Sequence, residues 1–253
     1  MTTGARRAAV LDMVRVGDFL FRWRSYLPLL LLPVAALGIA RARHLFASHG
    51  ADLVWEFACL SLALAGLALR VWTVGVAARG TSGRNTRQQK ATSLNTTGPY
   101  SIVRHPLYVA NGIIVISLAL FMHGLIAPLV VSVLTIVYYA CIAWREEQFL
   151  RERFGPAFVE WAARVPAVLP VPGRYVPAAR PFRLNVAVRR EFYAASLILV
   201  APFFLDMAED YQDTGRLVFD PVWVVTATLG VLLFVILRYL KKYTSVLDVA
   251  PDT

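Results

Sequence analysis

The sequence predicts an all-α protein: a polytopic membrane helical bundle of about six transmembrane helices, with an N-terminal amphipathic interfacial helix. Three observations carry this expectation. Hydrophobic residues make up 58% of the 253-residue chain and charged residues 17%, where soluble domains run at roughly 45–50% apolar and about 25% charged. The apolar residues are gathered into blocks, and a membrane-crossing helix needs about 20 mostly apolar residues. The charges between the blocks segregate by sign, and basic loops set the orientation of membrane helices.

The elements follow in order. Residues 1–26 interleave Val10, Leu11, Val14 and Phe21 with Arg7, Asp12, Arg15, Asp18, Arg22 and Arg24; this mixed pattern suits a helix lying in the interface, touching anionic lipids. It lacks the uninterrupted apolar core and cleavage site of a signal peptide. Apolar blocks follow at 27–46, 53–78, 107–121, 125–144, 192–205 and 222–240. The fifth is short and is the least secure span. The linker 79–97 is polar and reads as a loop. Residues 165–181, "VPAVLPVPGRYVPAARP", hold five prolines and read as a non-helical run. One membrane domain covers 1–253, with residues 182–253 an additional C-terminal helical pair.

The net charge of +10 would point to nucleic acid in a soluble protein. Here the arginines flank apolar blocks, and no zinc-finger spacing or aromatic-basic stripe accompanies them, so anionic lipid is the expected partner. Residues 79–107 carry Arg79, Arg84, Arg87, Lys90 and Arg104 with no acid, and residues 145–191 carry nine arginines against five glutamates. Residues 206–221 carry Asp206, Glu209, Asp210, Asp213 and Asp220 against Arg216 alone. Six spans therefore place both termini and both basic stretches in the cytoplasm, with Arg41 and Arg43 dissenting. Cys59 and Cys141 both fall inside apolar blocks and read as small hydrophobes. No metal-ligand motif stands out. Oligomeric state is not legible.

Only Met122, His123 and Gly124 separate the third and fourth blocks. So short a connection forces an antiparallel helical hairpin. Its far ends become neighbours: "GPYSIVRHPLY" (98–108) on one helix, "WREEQFLRERFG" (144–155) on the other. Pro106 suits a first helical turn, with His105 near the cap and free N–H groups able to hold an anion. His105, Tyr108 and Asn111 are spaced to share one helical face, Tyr100 and Arg104 lie four apart, and Gly112 leaves room for a close approach. Each cluster alone reads equally as an interfacial anchor or a solvated charge run. Brought together, these ionisable groups beside the membrane become functional candidates.

"TGPYSIVRHPLYVANG", a hairpin, and "REEQFLRERFGPAFVEWAARVPAVLP" together resemble the isoprenylcysteine carboxyl methyltransferase and phospholipid methyltransferase superfamily. The shared pattern is Gly-Pro-Tyr, Arg-His-Pro-x-Tyr, Glu-Glu, Phe-Gly and a Val-Pro…Pro tail, over residues 92–172, the catalytic core. The resemblance implies a membrane-embedded methyltransferase using S-adenosyl-L-methionine, without a Rossmann fold. Carried over, cofactor contacts fall on Tyr100, His105, Pro106, Tyr108 and Glu147; Arg104, Arg145 and Glu146 become the catalytic candidates, the arginines at the acceptor end. Ala110, Phe158 and Trp161 depart from the pattern, which often has Gly, Tyr and Tyr there. The implied acceptor is a lipid or lipid-linked molecule arriving from the bilayer; prenylcysteine, phospholipid amine, lipid phosphate, isoprenoid and fatty acid all remain open. Two rival functions stay open as well: an NADPH-dependent sterol-type reductase with a similar Arg-His…Tyr pattern, and a non-catalytic membrane scaffold.

Overall fold

The computed structural model describes residue 38, residues 48–78 and residues 91–248. The interfacial helix expected over 1–26, the first apolar block apart from residue 38, most of the 79–97 linker and the last five residues lie outside these. Among the described residues the fold is all helical: α1 (His49–Val76), α2 (Pro99–Ile102), α3 (Pro106–Phe121), α4 (Ile126–Phe154), α5 (Pro156–Arg164), α6 (Leu184–Thr214) and α7 (Pro221–Tyr243), with one 3₁₀ turn at Pro172–Arg174.

Four of these helices, α1, α4, α6 and α7, are long and apolar enough to cross a membrane. The expectation of about six is thus corrected to four among the described residues. The first block lies outside the described residues, and the third supplies the rest of the difference. Its helix starts at Pro106, ends at the 122–125 turn and has only 16 residues. At 1.5 Å per residue this is about 24 Å, short of the roughly 30 Å hydrocarbon core. The fifth block errs the other way: α6 runs for 31 residues through Pro202. Its apolar run looks short because Glu191 precedes it and Asp206 follows it. Glu191 is buried and paired with Arg70, and beyond Asp206 Glu209 is buried and paired with His123, so the helix and its burial continue past both ends of the run.

Local chemistry sets the helix ends. The Ser48 hydroxyl accepts from Ala51 N–H at the start of α1, and Asp220 accepts from Val222 N–H at the start of α7, both ordinary N-caps. Gly155, at φ +52°, lets α4 stop and α5 begin within one residue, a backbone state that favours glycine.

α1 lies at the centre, packed on α3 and α6; α4 lines the other side of α3, and α7 covers α6. Lipid gives helices no hydrophobic drive to associate, so small residues at close contacts matter. Ala63 and Ala110 are fully buried, and a Cβ on Gly66 would come within 3.0 Å of the Ala110 carbonyl oxygen. Ala110, one of the departures noted above, therefore sits at the α1–α3 contact. Cys59, Leu60, Ala63, Phe121, Ile198 and Trp223 form the main apolar core. Outward, α4 and α7 expose Leu129, Val133, Ile136, Val225, Leu229, Leu232 and Ile236. So large an apolar surface fits lipid contact rather than water, and the chain folds as a helical membrane bundle.

Candidate functional site

The α3–α4 hairpin brings its two polar ends into contact. Pro106 is fully buried at the first position of α3, and His105 is the residue capping that helix. From that cap the His105 Nε2 lies 3.0 Å from Glu147 Oε1 on α4. One turn further, the Tyr108 hydroxyl donates to Glu146 Oε2 at 2.7 Å. Hydrogen bonds to a charged group contribute about 1.5–3 kcal/mol each. These two close the hairpin mouth at the end opposite its turn. The rings add a stack: His105 on Tyr108 and Tyr108 on Tyr139, each pair with centroids 5.4 Å apart.

Arg104 does three things at once. Its Nε sits 2.8 Å from Glu147 Oε1, an ion pair by distance rather than an aligned hydrogen bond. Its Nη1 donates to the Ala162 and Val165 carbonyls at 2.7 and 3.1 Å, the end of α5, where a cation complements the helix dipole. Arg104 therefore ties the entrance of α3 to both α4 and α5. Arg145 is half-buried on α4 beside Glu146.

Tyr100 sits on α2, not on a helix shared with Arg104, because the backbone turns extended at Val103. Its carbonyl accepts from the Trp161 indole N–H at 3.2 Å. Burial, then the Glu146 carboxylate, push the Tyr100 phenol well up, with Arg190 opposing; it stays a hydroxyl. Phe158 and Trp161 form an apolar plug with Val165 under this tyrosine.

The proline-rich segment straps the mouth with main-chain bonds. Arg104 N–H donates to Pro166 O, Val171 N–H to Ile102 O and Gly98 N–H to Val176 O, at 2.8–3.0 Å. Ser101 Oγ accepts from Val176 N–H at 2.9 Å. Prolines lack an N–H and hold extended backbone, so this run lies across α2 without becoming a helix. At Gly112 an added Cβ would meet nothing within 4 Å, so the close approach expected there does not occur among the described residues.

Two groups escaped the sequence reading. Arg70 on α1 donates to Glu191 on α6 from Nε at 2.6 Å and from Nη2 at 3.1 Å, and from Nη1 to Asn111 Oδ1 on α3. At the other end of the bundle His123 pairs with Glu209 at 2.8 Å and lies 3.5 Å from Asp52 and 3.9 Å from Glu56. The only signal for either was a charge inside an apolar block, as at Arg70 and Glu56. Among the described residues no group of three or more His, Cys, Asp or Glu is arranged to hold a metal ion.

As a donor set the mouth suits a small zwitterionic cation. Each carboxylate has about four lone-pair sites, so one phenol or imidazole bond leaves capacity for ribose hydroxyls or an amine. Stacked tyrosine faces attract a cation, and the α3 N-terminus favours a carboxylate.

Residues 55–157 match the family model described as phospholipid methyltransferase, within the superfamily that the motifs resemble. The chain is 37% identical over 82 residues to the cobalt-zinc-cadmium resistance protein CzcN of Cupriavidus metallidurans, covering 32% of this chain and 38% of that protein. It is 29% identical over 116 residues to the nickel-cobalt-cadmium resistance protein NccN of Alcaligenes xylosoxydans xylosoxydans, covering 46% and 54% respectively. The chain thus spans about half or less of the length of the curated relatives it matches. No solved structure matches it.

Proposed function

We propose, on the premise that residues 55–157 carry a phospholipid methyltransferase segment, that this protein is an S-adenosylmethionine-dependent methyltransferase. It acts on a lipophilic acceptor at the cytoplasmic interface of a membrane it crosses several times, with both termini and the site on the cytoplasmic side. The carrying observation is the pairing of His105 with Glu147 and of Tyr108 with Glu146 across the hairpin. Four side chains from two helices converge where a polar donor and an apolar acceptor must meet.

When bound, S-adenosylmethionine supplies an electrophilic methyl group on a sulfonium. Glu146 and Glu147 would accept from its hydroxyl or amine groups, and His105 with the α3 N-terminus would hold its carboxylate. The strap over α2 excludes water, and Arg104 holds the strap, α5 and Glu147 together. Catalysis then comes mainly from orienting two reactants, which can supply several kcal/mol. An anionic acceptor arrives nucleophilic, and Arg145 can orient it; an amine needs a base. Sidedness is supported by charge: the site end carries the basic stretches and the far end the acidic 206–221 segment, and the same basic end suits anionic lipid headgroups.

The test is transfer of a radiolabelled methyl group from S-adenosylmethionine into a total membrane extract, followed by lipid separation. The proposal expects label in a discrete lipid band, reduced about 10²-fold in Glu147→Ala. No labelled lipid, with NADPH binding in place of S-adenosylhomocysteine, would favour the reductase. No binding of either would favour the scaffold.

A further inference from the structure

Glu191 stands on α6, beyond the matched segment 55–157, and is 4% exposed. Its two oxygens accept from Nε and Nη2 along one edge of the Arg70 guanidinium, a bidentate pairing that fixes the plane of the fork. That fork in turn donates to Asn111 Oδ1. An amide has one accepting and one donating end; with the oxygen turned to Arg70, the NH₂ is what remains for the Tyr139 phenol, which lies beside Asn111. Tyr139 stacks on Tyr108, and Tyr108 donates to Glu146. An unbroken line of contacts therefore runs from α6 through α1, α3 and α4 to the hairpin mouth.

We infer that Glu191 is a positioning residue of the methyl-transfer site, acting through Arg70, Asn111 and Tyr139 on the Tyr108–Glu146 pair. The inference rests on the function proposed above. It connects the C-terminal helical pair to the chemistry, because α6 supplies the carboxylate that sets the orientation of groups in the family core. Without Glu191, Arg70 becomes an uncompensated buried charge. It then no longer dictates which way the Asn111 amide points, and the Tyr139–Tyr108 stack loses its anchor.

The test is a double-mutant cycle on the full chain in detergent, read by equilibrium binding of S-adenosylhomocysteine and by thermal unfolding. Glu191→Gln and Tyr108→Phe each weaken binding roughly tenfold, and the double variant binds within about twofold of Tyr108→Phe alone, the non-additivity of residues acting through one another. Because breaking a buried pair can unfold a protein, Arg70→Lys, which keeps the opposite charges, is carried through the same cycle with the same expectation. A purely structural pair would lower the melting temperature in every background and leave the affinity of folded protein unchanged; that result overturns the inference. Additive losses overturn it too, as does failure of both variants to fold. Absence of binding by the unaltered protein would overturn the methyltransferase reading itself, and this inference with it.

Discussion

Phe158 shows what a single side chain reveals about the site. The pattern that the motifs resemble often has a tyrosine there, yet in this chain the ring is fully buried against Trp161 and Val165. A hydroxyl added at that depth would need a partner, and an unsatisfied one costs about 1–3 kcal/mol. Phe158→Tyr is therefore expected to lower stability by about that amount in thermal unfolding; an unchanged melting temperature would mean the plug is looser than its packing. The opposite logic holds at Tyr108. Its hydroxyl bonds a carboxylate, so Tyr108→Phe costs binding as well as stability. His105, Tyr108, Glu146 and Glu147 were legible in the sequence because a three-residue turn forces their helices together. Arg70 and Glu191 were not, since they lie 121 positions apart and only the packing of α1 on α6 joins them.

Among the elements, α6 and α7 show how tightly the added pair is built. A Cβ on Gly230 would lie 2.8 Å from Val200 Cγ2 and 2.9 Å from Leu199 Cβ. Gly230→Leu is expected to destabilise the pair by about 1–3 kcal/mol, the usual cost of overpacking, and thermal unfolding in detergent reads it directly. The 122–125 turn is held by a second device. Burial alone would lower the His123 pKa, but its hydrogen bond to Glu209 and the Glu209, Glu56 and Asp52 charges outweigh burial and hold it above the ordinary value. Carboxylates reach it from α1 and α6, while Trp223 of α7 donates to Glu56 at 3.1 Å. A raised folded pKa stabilises fully below the unfolded value, about 6.5, and the contribution is lost as pH rises through the folded value. The melting temperature should then fall as pH rises above about 6.5, and His123→Gln should flatten the fall. A slope that survives this substitution would assign it to other groups.

Over the whole molecule, charge and chemistry separate to opposite ends. The mouth gathers Arg70, Arg104, His105, Glu146, Glu147 and Glu191; the far end gathers Asp52, Glu56, His123 and Glu209. Block spacing was enough to anticipate the helical class. Hydropathy misjudged the length of α6 because it registers an interrupting charge, such as Glu191, but not the buried partner that neutralises it. It also took the 107–121 block for a span, since a proline cap and a tight turn shorten a helix without changing its composition. The proposed function requires the two polar ends of the hairpin to hold one small molecule jointly. Titration of the purified protein with S-adenosylhomocysteine, with NADPH in parallel, tests this most directly. Saturable binding of the former alone is predicted, abolished by either His105→Ala on α3 or Glu147→Ala on α4. Binding that survives both substitutions in folded protein would contradict it.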